Sequence, residues 1–182
     1  MTTYLASPEP MDIFLQPGDF YFGDAGTRIR TLLGSCVAIT LWHPVRRIGG
    51  MCHIMLPERG PRSHRRLDGR YADGAVAMFM REVNASGTHP RDYVVKLFGG
   101  GRMFLPRRPD SKVIDAMDIG RRNIVASRKL LHEHGFAVAA EHLAGDGHRN
   151  VIFDLASGDA WIRHVAELKP HSQTGTGIQG DR

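Results

Sequence analysis

Thr31-Leu32-Leu33-Gly34-Ser35-Cys36-Val37-Ala38-Ile39-Thr40-Leu41-Trp42-His43-Pro44-Val45-Arg46-Arg47-Ile48-Gly49-Gly50-Met51-Cys52-His53-Ile54 has the pattern of a turn followed by a β-hairpin. Gly34-Ser35 is turn chemistry placed directly before a β-branched run. From Cys36 the chain alternates, with Val37, Ile39 and Leu41 on one face and Ala38, Thr40 and Trp42 on the other, which is the period of a strand. His43-Pro44-Val45-Arg46 follows, and Pro44 suits the second position of a type I turn. A loop of those residues predicts a hairpin with Trp42 opposite Arg47, Val37 opposite Cys52 and Cys36 opposite His53. That register gathers Val37, Ile39, Leu41, Ile48, Cys52 and Ile54 on an apolar face. It brings Cys36 and His53 together on the other, with Cβ atoms about 5 Å apart. A slip of one residue would break both the pattern and the pair.

Outward from the hairpin, further strands are predicted at Phe20–Phe22, Tyr93–Phe98, Phe136–Glu141, Val151–Leu155 and Trp161–Val165, beside Val37–Trp42 and Ile48–Leu56. Ala156-Ser157-Gly158-Asp159 reads as the loop of a second hairpin. Two helices are predicted. Tyr71–Asn84 places Ala72, Ala75, Val76, Phe79 and Val83 at helical spacing and is followed by Gly87. Ile119–His134 places Ile119, Ile124, Leu130 and Leu131 on one side, with Asp118 as N-cap and Gly135 as stop. Strands outnumber helices and the two are mixed, so the class is α/β (α+β), a mostly antiparallel sheet carrying helices. One domain is expected over 1–168. The tail 169–182, rich in Gly, Thr, Ser and Gln, is expected to be disordered.

Composition narrows the function classes. The chain has 182 residues, 20.2 kDa, with 42% hydrophobic and 24% charged residues, the profile of a soluble globular protein. Its only cysteines are Cys36 and Cys52, which excludes a disulfide scaffold and a four-cysteine zinc site. No apolar run approaches a membrane span. Met1–Gln16 lacks the basic start and apolar core of a signal peptide, so the cytoplasm is expected, with both thiols reduced. The net charge is +5 and the pI about 9.6. Arg59, Arg62, Arg65, Arg66 and Arg70 crowd one loop, a surface for an acidic protein partner, an anionic lipid or nucleic acid. No aromatic residue is interleaved there to stack on bases, which argues against nucleic acid.

The chemistry-bearing residues are Cys36 and His53. A free thiol has a pKa of roughly 8.5, and a neighbouring imidazolium lowers it by stabilising the thiolate. Turn amides around Gly34, Ser35 and Cys36 could donate to an oxyanion. Thr31, just upstream, could orient the imidazole through its hydroxyl, more weakly than a carboxylate would. The alternative for Cys36 is a small buried hydrophobe. Cys52, on the apolar face, reads as core. Cys36, Cys52 and His53 match no usual zinc spacing, so no metal is expected, nor any cofactor. Gly99-Gly100-Gly101 follows a strand but lacks the Lys-Ser/Thr of a phosphate loop. Met103 and Phe104 behind it are either buried or an exposed contact patch.

These residues resemble the CheD family of chemoreceptor glutamine deamidases. The resemblance is carried by Thr31-Leu32-Leu33-Gly34-Ser35-Cys36-Val37-Ala38 and Ile48-Gly49-Gly50-Met51-Cys52-His53-Ile54-Met55-Leu56-Pro57. Arg70-Tyr71-Ala72-Asp73, Gly99-Gly100-Gly101-Arg102-Met103-Phe104 and Ile119-Gly120-Arg121-Arg122-Asn123 add to it, in order from about Phe20 to Val165. It implies a sandwich with flanking helices, related to glutamine-deamidating toxins. It further implies a Cys36-His53-Thr31 triad that hydrolyses receptor glutamines to glutamate, preparing methylation sites, without a cofactor. The implied partners are chemoreceptor cytoplasmic helices and, in some relatives, a CheC-type phosphatase. Met103 and Phe104 suit a docking tip, and Arg65 and Arg66 suit steering of an acidic helix. A non-catalytic module for the same partners, or a thiol amidase for small substrates, is the alternative.

Overall fold

The computed structural model describes residues 9–59, 67–102 and 118–166. Among the described residues, nine strands and two α-helices follow in the order β1 (Met11–Leu15), β2 (Phe20–Asp24), β3 (Thr27–Leu33), β4 (Val37–His43), β5 (Ile48–Ile54), α1 (Ala72–Ala85), β6 (Val94–Gly99), α2 (Ile119–Glu133), β7 (Val138–Leu143), β8 (His148–Asp154) and β9 (Ala160–Val165). They form a four-stranded sheet, β1-β3-β8-β9, and a five-stranded sheet, β2-β5-β4-β6-β7. The β1–β3 and β6–β7 pairs are parallel; the other pairs are antiparallel. The expected largely antiparallel sandwich with flanking helices is the observed architecture.

Two apolar layers hold it together. Ile39, Leu41, Cys52, Ile54, Val95 and Leu97 from the five-stranded sheet meet Val76 and Phe79 of α1 and Leu131 of α2. The opposite face of the same sheet, with Ala38, Met51 and Phe98, packs on Ile29, Leu33, Val151 and Phe153 of the four-stranded sheet. β4 is therefore buried on both faces, which explains its near-continuous apolar run. The helices start and stop as their termini dictate. Asp118 accepts from the Arg121 amide at the head of α2, and Gly135 takes φ +80° behind it, as an N-cap and a left-handed stop require.

Two findings depart from the sequence reading. Strands β1 and β3 were not expected, although Thr27, Ile29, Thr31 and Leu33 alternate inward along β3. The β4–β5 hairpin also closes one residue later than predicted. Arg47 adopts φ +52°, and its amide donates to the His43 carbonyl at 2.8 Å. The loop is thus Pro44–Arg47, His43 faces Ile48, and Ala38 rather than Cys36 faces His53. This offset of two preserves parity, so every side chain keeps its predicted face. The turn geometry, not the hydrophobic pattern, decides between the two registers.

Candidate active site

Thr31 and His53 come from different sheets and meet across the inter-sheet layer. Thr31 is 1% exposed and His53 2%. Thr31 Oγ1 lies 2.7 Å from His53 Nδ1 and 2.9 Å from the Leu15 carbonyl, to which it donates. A hydroxyl has one proton. With that proton on the Leu15 carbonyl, Thr31 accepts from His53 Nδ1–H. The tautomer follows: Nδ1 is protonated and Nε2 carries the lone pair. His53 Nε2 is buried and has no hydrogen-bond partner, so it is available as a base. The end of β5 is held by the turn behind β1: the His53 amide donates to the Asp19 carbonyl at 3.0 Å and the Gly18 amide to the His53 carbonyl at 2.8 Å.

Cys36 stands two residues before Ala38, the partner of His53. It packs, partly buried, on the inter-sheet cluster, so it is a diagonal neighbour of His53 on the same face, a separation of about 7 Å between Cα atoms. No hydrogen bond joins the two side chains among the described residues. Burial pushes the Cys36 thiol up. Burial likewise pushes the His53 imidazole down, opposed by the Leu15 carbonyl and the Asp19 charge. Burial therefore works against the thiolate–imidazolium pair that the sequence suggests. Desolvation penalises both charged forms.

The turn before Cys36 is gripped through its carbonyls. Gly101 N–H donates to the Gly34 carbonyl at 2.8 Å and Gly100 N–H to the Cys36 carbonyl at 2.7 Å. Asn123 Nδ2 donates to the Ser35 carbonyl at 3.2 Å. The Gly99-Gly100-Gly101 loop is thus a clamp on the cysteine turn. Its first two glycines take φ +108° and +66°, a conformation that favours glycine. The sequence motif Ile119-Gly120-Arg121-Arg122-Asn123 by itself gives Asn123 no role. Arg149, which the sequence reading also passed over, is 1% exposed. It donates from Nε to His142 Nδ1 at 2.9 Å and from Nη2 to the Ala144 carbonyl, so His142 is a partner of a buried charge. Neither role has a local sequence signal.

The basic loop is partly accounted for. Arg59 and Arg70 both pair with Asp68, and Arg59 lies 4.9 Å over the Tyr71 ring. Arg62, Arg65, Arg66, Met103 and Phe104 lie outside the described residues, as do 1–8 and 167–182. Cys52 is fully buried in the layer under the helices, as its face required.

Comparison with known proteins bears on this geometry. A family model described as CheD chemotactic sensory transduction matches residues 55–164. A protein of Pseudomonas savastanoi pv. phaseolicola named probable chemoreceptor glutamine deamidase CheD is 52% identical over 153 residues, 84% of each chain. The chain belongs to the CheD family. A CheD-family protein of Dechloromonas aromatica is 49% identical over 86% of this chain and 89% of its own. One of Albidiferax ferrireducens is 44% identical over 95% of this chain and 96% of its own; both are named probable chemoreceptor glutamine deamidase CheD, with a number. The match to the CheD model begins at Met55, just past His53, and so does not reach Thr31, Cys36 or His53. Two solved structures, YfiH of Bacillus licheniformis and YlmD of Geobacillus stearothermophilus, align with TM-scores of 0.42 and 0.43 over 68% and 75% of the chain, at 15% and 14% identity.

Proposed function

We propose that this protein hydrolyses glutamine side chains of chemoreceptors to glutamate, with Cys36 as nucleophile, His53 as general base and acid, and Thr31 orienting the imidazole. The observation that carries the reading is the buried chain Leu15 carbonyl–Thr31–His53, which leaves Nε2 bare on the face that Cys36 shares. A buried imidazole held in one tautomer beside a thiol is suited to take its proton.

The steps follow from those positions. His53 Nε2 removes the Cys36 thiol proton as sulfur attacks the carboxamide carbon, so no ion pair is needed beforehand. The Ser35 and Cys36 amides stabilise the oxyanion. The tetrahedral adduct collapses when His53 Nε2–H gives its proton to the amide nitrogen, which leaves as ammonia. A thioester remains. His53 then deprotonates water, hydroxide adds to the thioester carbon, and the carbon–sulfur bond breaks, the departing sulfur taking the proton back from His53 Nε2–H; the new carboxyl ionises to glutamate and the thiol is restored. The Thr31 hydroxyl supports the imidazolium by hydrogen bonding but brings no countercharge, so its contribution is orientation.

Receptor helices are the proposed substrate, and the new carboxylates are methylation sites. A CheC-type phosphatase is a proposed second partner and the cytoplasm the proposed location; no helix among the described residues is long and apolar enough to cross a membrane. Mass spectrometry of receptor fragments incubated with the protein tests the reading. Glutamine must become glutamate at defined sites with wild type and not with Cys36→Ala. Conversion by Cys36→Ala, or conversion of free glutamine alone, refutes it.

A further inference from the structure

We propose that Asn123 is a positioning residue that aims the Cys36 amide at the oxyanion and ties the nucleophile and base segments to one helix. This rests on the deamidase reading above. Asn123 lies on the first turns of α2 and is fully buried. Its Nδ2 reaches the Ser35 carbonyl at 3.2 Å and the Met55 carbonyl at 2.9 Å. Both acceptors are carbonyls, so only the NH2 end of the amide can face them. One side chain thereby fastens the residue before the proposed nucleophile and the residue two beyond the proposed base.

The consequence for Cys36 follows from peptide geometry. The Ser35–Cys36 bond is not cis. In a trans peptide the C=O and the following N–H point to opposite sides of the chain. With the Ser35 carbonyl held toward α2, the Cys36 N–H points away from it, to the side on which the Cys36 side chain joins the inter-sheet layer. The carbonyls of Gly34, Ser35 and Cys36 all accept hydrogen bonds. Neither the Ser35 nor the Cys36 N–H donates one among the described residues. A turn with its carbonyls tied back and its amides open is arranged for a negative oxygen.

The rest of α2 is fitted to this contact. A Cβ at Gly120 would stand 2.6 Å from the Gly100 carbonyl oxygen, so glycine there lets the helix seat against the clamp loop. Asn123 Oδ1 is buried without a partner, which is unfavourable for folding. An apolar residue of similar size would avoid that cost but would take this donor from the Ser35 and Met55 carbonyls, so the amide is at this place for what its NH2 end holds.

The experiment compares Asn123→Ala and Asn123→Leu with wild type and with Ser127→Ala, a control one turn further along the same helix and equally buried. Deamidation of a receptor fragment is measured as kcat and KM separately, thermal unfolding reports stability, and the pH profile of Cys36 carbamidomethylation by iodoacetamide reports the thiol. Deleting an oxyanion donor costs about 10²–10³ in kcat. Misaiming one is expected to cost roughly 10- to 100-fold, with KM little changed because the bond forms only in the transition state. The alkylation profile stays where it is, since alkylation develops no oxyanion. Ser127→Ala, which removes a buried hydroxyl that has no partner, keeps both stability and kcat. If Asn123→Ala proves too unstable, Asn123→Leu, which keeps the branched shape and has no donor, carries the test. Folded Asn123 variants with wild-type kcat overturn the proposal, as does an alkylation profile that shifts in step with kcat, which would place the effect on the thiol. Cys36→Ala in the same assay separates the two levels: if it still turns over, the deamidase reading itself fails.

Discussion

Replacing Thr31 with valine tests the centre of the mechanism. The side chains are nearly isosteric, so the inter-sheet packing around a residue that is 1% exposed is retained. What is lost is the hydroxyl, and with it both the acceptor for His53 Nδ1–H and the donor to the Leu15 carbonyl. A buried polar group without a partner costs about 1–3 kcal/mol. Two are created, so a stability loss of about 2–3 kcal/mol is expected, allowing for relaxation around the site. If the cost at His53 is expressed as misplacement of the imidazole, 1–3 kcal/mol at 1.36 kcal/mol per decade lowers kcat by about 5- to 150-fold. Loss of a charged orienter costs about 10⁴ in the serine triad, and the smaller figure here reflects a neutral hydroxyl. Steady-state deamidation of a receptor fragment gives kcat, and urea unfolding gives stability. Thr31→Ser, which restores the hydroxyl, is expected to recover most of kcat at a small packing cost. A Thr31→Val protein that is less stable yet turns over at the wild-type rate would show that the bond serves the fold and not the base.

Cys36→Ala is expected to abolish deamidation in a folded protein. Cys52→Ala keeps activity and loses on the order of 1 kcal/mol for a small cavity, seen in denaturant melts; the reverse pattern would exchange the two thiols. Burial pushes Cys52 up to about 12, so in the unfolded chain it gives up its proton first. Its contribution is present below the ordinary thiol range near 9.0 and is lost as pH rises from there toward 12; Cys52→Ala should flatten the alkaline fall in melting temperature. His53 runs the other way: burial lowers its folded value, so stability is present above the ordinary 6.5 and declines as pH falls below it. His53→Gln should remove that acid-side component, and an unchanged acid profile would place the loss elsewhere. Gly100→Ala meets both a φ of +66° and Ile124 Cδ1 at 2.4 Å, so it is expected to lower both stability and kcat. A melting temperature equal to wild type would show that the clamp loop yields freely.

Local pattern made much of this protein legible. The helices were readable because Val76, Phe79 and Val83, and later Leu130 and Leu131, recur at helical spacing between residues that cap or stop a helix. The faces of β4 and β5 were readable because a period of two survives any even shift of register. The alternation along Thr27–Leu33 was also present in the sequence, and β3 could have been found from it. Arg47 is different: nothing in its residue type signals a positive φ, and that one dihedral moved the pairing of His53 from Cys36 to Ala38.

What the sequence by itself determined is the mixed, largely antiparallel class, the sides on which Cys36, His53 and Cys52 lie, and the turn before Cys36. All of these depend on neighbours a few residues apart, where backbone sterics and hydrophobic periodicity act. Only the tertiary structure decided the contacts of the site. Thr31 reaches His53 because two sheets pack face to face, not because it lies close to Cys36 in the chain. Asn123 reaches Ser35 across 88 residues because α2 seats its first turns on the glycine loop. Such pairings are set by which faces share a layer, and side chains brought together by layer packing carry no local period or spacing in either segment.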